Sequence, residues 1–225
     1  MMSNLVRHLA RYPVLLLVAL LAFFAAPQGS RAEPAAGEFD FYVLSLSWSP
    51  TYCRTPQGRN NRQQCSAARR YGMVLHGLWP QYERGYPESC PSTEPERVDR
   101  ALGNRYLDIM PGMGLIGHEW RKHGTCSGLN QADYFATARK AFSRVRIPEQ
   151  MKSPASTKRF TPQVVEALFS KANPGLGHRA MAVTCQGEML QDVRICLTKD
   201  LRFRDCRQVD ADACRRSFVI LPPAP

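Results

Sequence analysis

The sequence predicts a single α+β domain: an antiparallel sheet core with several surrounding helices, stapled by disulfides. Three observations point there. Segments with a period of two are interspersed with segments of helical spacing, without the strand–helix–strand rhythm of a doubly wound sheet. Eight cysteines occur, an even number suited to four disulfides. Of 225 residues, 44% are hydrophobic and 22% charged, which excludes a disordered or fibrous chain.

Residues 1–32 read as a secretory signal. Arg7 and Arg11 precede an apolar run from Val14 to Ala26, shorter than the roughly 20 residues a membrane span requires. Ser30-Arg31-Ala32 then resembles a signal-peptidase site. The expected setting is periplasmic or secreted, with no membrane association once the signal is gone. Residues 33–225 suffice for one domain with a real core. Residues 1–32 hold three of the 30 basic and none of the 19 acidic residues, so the formal charge of +11 becomes +8 without them. That balance suits a polyanion such as nucleic acid, and equally an anionic envelope surface.

The elements follow in order. After a small-residue lead at 33–37, Phe39 to Trp48 alternates, with Tyr42, Leu44, Leu46 and Trp48 on one face, and reads as a strand. Tyr71 to Leu75 is a second, short strand ending at the first histidine motif. Residues 83–96, with Gly85, Pro87, Pro91 and Pro95, are loop. A helix is expected over 96–109, ended by Pro111-Gly112. Asn130 is an N-cap for a helix that presents Phe135, Ala138, Phe142 and Val145 and stops before Pro148. Thr161-Pro162 opens another, with Val165, Leu168 and Phe169 inward and Asn173-Pro174-Gly175 after it. Strands are expected at 179–184, 188–198, 201–206 and 217–221.

Chemistry concentrates in the histidines. His76 lies in His76-Gly77-Leu78-Trp79-Pro80. His118 and His123 lie in His118-Glu119-Trp120-Arg121-Lys122-His123-Gly124-Thr125-Cys126. His178 stands alone. The second motif invites comparison with the zinc-binding H-E-x-x-H pattern, but its histidines are five apart, about 140° around a helix, and cannot share one ion there. No C-x2-C pair exists either, so no metal is expected. On a helix Glu119 shares a face with His123, and His118 with Lys122. A carboxylate beside His123 can orient its ring, while Lys122 and His118 supply positive charge for an anion. With His76 the set holds an acid, a base and cationic stabilisers, but no activated nucleophile. Such a site suits a substrate that carries its own nucleophile, as RNA does in its 2′-hydroxyl. Other acid–base reactions fit the same residue types. A binding module that holds a polyanion without cutting it is the second reading; poised imidazoles are superfluous to it.

These two segments resemble the paired active-site motifs of the RNase T2 family of secreted endoribonucleases, and the signal and cysteine framework look most like its bacterial, periplasmic branch. The similarity extends to Trp48, Pro50, Thr51, Tyr52 and Cys53, and covers most of residues 39–221. It implies that 33–225 is a catalytic domain that cleaves single-stranded RNA through a 2′,3′-cyclic phosphate to 3′-phosphate ends, without cofactor and without cutting DNA. His123 matches the general base and His76 the general acid. His118 matches a phosphate-binding histidine, Glu119 and Lys122 the pair that polarises the phosphate, and Trp79 a base-stacking aromatic. Trp120 is expected in the core. Gln81, where other members carry an acidic or different residue, suggests broad base preference, since an amide both donates and accepts. The resemblance also implies the disulfides Cys53–Cys65, Cys90–Cys126, Cys185–Cys214 and Cys196–Cys206. A monomer is expected.

Overall fold

A computed structural model describes residues 35–66, 70–152 and 155–224. The signal segment expected over 1–32 lies outside them. In chain order the elements are β1 (Phe41–Trp48), α1 (Ser49–Tyr52), α2 (Pro56–Asn60), α3 (Arg62–Cys65), β2 (Met73–Gln81), α4 (Arg100–Asn104), α5 (Met113–Lys122), α6 (Gln131–Arg144), β3 (Lys158–Phe160), α7 (Pro162–Ala172), β4 (Met181–Gln186), β5 (Met189–Leu197), α8 (Arg207–Ala211) and β6 (Val219–Leu221). The strands form one six-stranded sheet ordered β2-β1-β5-β6-β3, with β4 also paired to β5. Every pairing is antiparallel except β5 with β6, which meet in parallel at Met189 and Ile220.

Because side chains alternate across a strand, the sheet has two distinct faces. Tyr42, Leu44, Leu46 and Trp48 of β1 join Val193, Ile195 and Leu197 of β5 and Met181 and Val183 of β4 in the main core. Trp120, Tyr134, Phe135, Val165 and Phe169 pack into that core from the helices. Asn130 caps α6 by accepting from Asp133 N, and Thr161 caps α7 by accepting from Val164 N. Each such cap is worth about 1 kcal/mol. On the other face Phe41, Val43, Ala182, Cys196 and Val209 form a small second cluster with Trp79 against it. That face carries the candidate site.

Three expected elements are corrected. The strand placed at 71–75 runs on through the first histidine motif to Gln81. Ser45 pairs with Gly77 and Leu46 with Leu75, which leaves His76 as the extra residue of a β-bulge. The bulge puts Leu75 and Leu78, three apart, into the same core, so period-two alternation is lost from the sequence there. The helix expected over 96–109 is helical only at Arg100–Asn104. The Pro95 carbonyl accepts from Trp120 Nε1 and Gln131 Nε2, and Gln131 Nε2 also reaches the Arg97 carbonyl, so these groups are not available to a helix. Asp99 then caps α4 from Ala101 N. No strand forms over 201–206. A turn at 198–202, with Leu201 at φ 61°, interrupts the chain, and the return is a single bridge of Phe203 to Leu197 with Arg204 N donating to the Cys196 carbonyl.

Four disulfides are present: Cys53–Cys65, Cys90–Cys126, Cys185–Cys214 and Cys196–Cys206. Among the described residues no helix is long and apolar enough to cross a membrane.

Candidate active site

One cavity of about 290 Å³ gathers all seven residues singled out in the sequence. β2 supplies His76, Trp79 and Gln81; α5 supplies His118, Glu119 and Lys122; His123 follows at the end of that helix. Arg194 of β5, Tyr86 of the loop after β2, and Gln208, Val209 and Asp212 around α8 complete the wall. His178 is elsewhere, 3.5 Å from Glu166. Trp120 is fully buried in the core.

Local structure explains how each side chain arrives. The bulge re-aims His76 out of regular pairing, on the strand face opposite the main core. Helix α5 ends at Lys122, and His123 departs to φ −120° before a 3-10 turn over Gly124–Ser127. The His123 N–H still donates to the Glu119 carbonyl at 3.0 Å, and both side chains line the cavity. Glu119 turns to the other histidine: its Oε1 lies 3.5 Å from His76 Nε2, and its Oε2 accepts from Trp79 Nε1 at 2.7 Å. Gly77 makes this possible, because a Cβ there would fall 1.9 Å from Glu119 Oε2.

Trp79 stands between the two imidazoles. Its ring stacks on His123 at 5.1 Å and meets His76 edge-on at 5.3 Å. The Arg194 guanidinium lies 5.3 Å from the same indole. Gln81 is buried, and its Nε2 donates to the Gly85 carbonyl at 2.9 Å, so one amide hydrogen is already committed. Lys122 Nζ is 3.2 Å from Glu88.

The loop carrying Tyr86 and Glu88 is pinned at both ends. Gly85, at φ 77°, donates its N–H to Gln208 Oε1 at 2.6 Å. Ser89 N donates to the Lys122 carbonyl at 2.8 Å, and Cys90 is bonded to Cys126. Between these anchors Tyr86 is 52% exposed, its ring 6.5 Å from His123.

The sequence reading missed Asp192. It is 1% exposed on β5, with Oδ1 3.6 Å from His76 Nδ1 and bound by Ser47 Oγ. Ser47 and Asp192 are register partners across β1 and β5. The signal was present but silent: Val193, Ile195 and Leu197 mark the core face of that strand, so Asp192 and Arg194 fall on the other. Only the topology reveals that His76 is opposite.

The field in the cavity biases the histidines in opposite directions. Burial pushes the His123 imidazole down to about 3, reinforced by Lys122, His76 and His118. Burial also acts to lower His76, but the Asp192 carboxylate and then Glu119 outweigh it, and the net direction is upward. His118 is lowered by burial and by Lys122, His76 and Arg121. Burial pushes Glu119 up to about 7 against the opposing pull of His76, Trp79 and Lys122. At neutral pH His123 is a free base, and His76 favours its proton more than an ordinary histidine does. Among the described residues no three His, Cys, Asp or Glu side chains are grouped to hold a metal ion.

Comparison with known proteins adds to this geometry. The family model described as Ribonuclease T2 family matches residues 39–206. A ribonuclease of Aeromonas hydrophila is 38% identical over 191 residues, 82% of this chain and 85% of that protein. Ribonuclease I of Escherichia coli K12 is 27% identical over 236 residues, covering 84% and 87% of the two chains. In fold, the chain is similar to an RNase-related protein from Calystegia sepium, with a TM-score of 0.65 at 23% identity over 84% of this chain and 99% of that one. It is also similar to RNase NT, solved in complex with 5′-AMP, with a TM-score of 0.56 at 24% identity over 83% and 99%. The matched span runs from the start of the first strand past both histidine motifs, and the chain belongs to the ribonuclease T2 family.

Proposed function

We propose that the protein is an endoribonuclease that cuts single-stranded RNA by attack of the 2′-hydroxyl on the adjacent phosphorus. The observation that carries this reading is the pair of imidazoles flanking one indole in one cavity, biased toward opposite protonation states. His123 takes the 2′-hydroxyl proton as the oxygen bonds to phosphorus. His76 gives its proton to the departing 5′-oxygen as that P–O bond breaks, leaving a 2′,3′-cyclic phosphate. Hydrolysis of the cyclic ester reverses the two roles and yields a 3′-phosphate.

The remaining side chains stabilise or position. Lys122 and His118 face the phosphoryl oxygens with positive charge. Glu119, which holds its proton up to about pH 7, pairs with Lys122 in polarising the phosphate and fixes Trp79 through its indole N–H. The Asp192 carboxylate, 3.6 Å from His76 Nδ1, favours a positive imidazole by its charge, with Nε2 left to deliver the catalytic proton. Trp79 is largely engaged within this cluster, and the exposed Tyr86 ring on the rim offers the more open stacking surface for a base. Gln81 retains one amide hydrogen and its carbonyl for a base edge, which supports weak base preference. Acid, base and charge all come from side chains, so the reaction proceeds without a cofactor. DNA, lacking the 2′-hydroxyl, is not cut. The protein acts as a monomer; its setting is an oxidising compartment, periplasmic or secreted, and the four disulfides support that setting.

Product analysis tests the mechanism. A defined oligoribonucleotide should give cyclic-phosphate ends first and 3′-phosphate ends later, at a rate indifferent to chelators. Products with 5′-phosphate ends, or cleavage of DNA, would overturn it.

A further inference from the structure

A second cavity, about 410 Å³ in volume, shares helix α5 with the first as a common wall. His118 and Lys122 face the catalytic cavity, and Arg121 faces the second. Arg97 and Arg100 line it from the start of α4, with the amides of Gln63 and Asn104 beside them. No carboxylate lines it. In sequence Glu96 adjoins Arg97 and Asp99 adjoins Arg100, and neither lines the cavity; Asp99 has Oδ1 committed to Ala101 N at the cap of α4.

Among the described residues some arginines are ion-paired and others, Arg59 and Arg105 among them, are not. Arg139, Arg179, Arg202 and Arg204 each lie within ion-pair distance of an Asp or Glu. Among the described residues, Arg97, Arg100 and Arg121 have no such partner. Gly117 clears space for one of them: a Cβ at that position would lie 3.1 Å from Arg121 Nη1, so the guanidinium folds back over the preceding turn. Arg97, Arg100 and Arg121 line one concavity with exposed side chains, and their shared positive charge favours an anion there. The planar fork of arginine matches the two oxygens of a phosphate.

We propose that this cleft is a second phosphate subsite for the RNA strand itself, engaging a phosphodiester remote from the one being cut. The inference rests on the ribonuclease reading above and extends it from one nucleotide step to a longer strand. Residues three apart on a helix have Cβ atoms about 5–6 Å apart, so His118 and Arg121 hand a backbone from one cavity to the next across the width of α5. A phosphate about one or two nucleotides from the scissile bond then enters the arginine cleft. The electrostatic reach of Arg121 to His118 agrees with this closeness. The guanidiniums touch phosphate and no base, so the subsite adds affinity for length without reading sequence.

The test compares a dinucleoside monophosphate, too short to reach the cleft, with an oligoribonucleotide of about 12 nucleotides. The variant is Arg97→Glu/Arg100→Glu, away from the helix that carries the catalytic residues; Arg97→Ala/Arg100→Ala is its milder form. Lys140→Glu/Lys171→Glu removes the same total charge from exposed positions on α6 and α7. Expected is a fall of about tenfold in kcat/KM on the oligonucleotide, with the dinucleotide rate unchanged, which also reports an intact fold. The slope of log kcat/KM against log salt should flatten by about 0.7 for each phosphate that the variant no longer neutralises. Equal losses on both substrates, no loss on either, or the same loss in the Lys140/Lys171 variant would each overturn the subsite. A wild-type protein that cleaves neither substrate would instead overturn the ribonuclease reading and this inference with it.

Discussion

The carboxylate of Asp192 stands 3.6 Å from Nδ1 of His76, at the ring nitrogen turned away from Glu119. His76 thus lies between two buried carboxylates, while Arg194 bears on it from the same strand as Asp192 and His118, Lys122 and His123 crowd the cavity side. Removing the Asp192 charge in Asp192→Asn keeps the shape and a bond to Ser47, yet lowers the proton affinity of His76. With His76 as the proposed acid, cleavage needs it protonated, so the loss appears at high pH. The alkaline limb of the kcat/KM profile should move down by about one unit, about a tenfold loss above it. An unmoved limb would show that Asp192 is only structural.

His76→Ala and His123→Ala should each reduce kcat by about a hundredfold or more. His118→Ala should raise KM as well as lower kcat, because its proposed phosphate contact would exist in the ground state too. Single-turnover kinetics separate these effects. If either His76 or His123 can be removed with full activity, the acid–base assignment is wrong.

Gly77→Ala places a methyl where Glu119 Oε2 and Trp79 Nε1 now meet. The neighbours are a buried carboxylate and an indole N–H, neither free to retreat without losing the other. Thermal unfolding should register a loss of about 1–3 kcal/mol, and activity should fall with it. Unaltered stability would mean that the Trp79–Glu119 bond is not maintained in solution.

Cys90→Ser/Cys126→Ser frees the loop that carries Tyr86 and Glu88 from the turn after His123. A bridge of this kind contributes about 2–4 kcal/mol, so the midpoint of denaturation should drop accordingly. KM for RNA should rise at temperatures where the variant remains folded. A variant that loses stability with KM unaltered would show that the bridge does not order the substrate-facing rim.

The sequence announced the sheet, the helices after Asn130 and Thr161, and the seven residues that share the cavity. It did so where signals were local: alternation in β1 and β5, caps at Asn130 and Thr161, and compact histidine motifs. What escaped it was set by distant partners. Strand β2 looked short because the bulge at His76 breaks the alternation that defines a strand. The helix expected from 96 lost its first turn to Trp120 and Gln131, more than 20 residues away. Helical spacing put Glu119 with His123, and both line the cavity, but the Glu119 carboxylate also reaches His76 on a separate strand. Asp192 is more than 100 residues from His76, and its place beside the imidazole exists only once β1 pairs with β2 on one side and β5 on the other.

Strand β2 is the outermost strand on its side of the sheet. An exposed edge of this kind invites a strand from another molecule. Here Leu75 N is held by the Ile109 carbonyl, the Leu78 carbonyl accepts from Tyr134 Oη, and Pro80 has no N–H to offer. The irregularity at His76 twists what remains out of the flat form that a neighbour could extend. Straightening β2 by deleting one residue would turn the imidazole away and, in the same stroke, open the edge to aggregation. The bulge that aims the proposed acid into the cavity is thus also what makes this edge a poor template for a neighbouring strand.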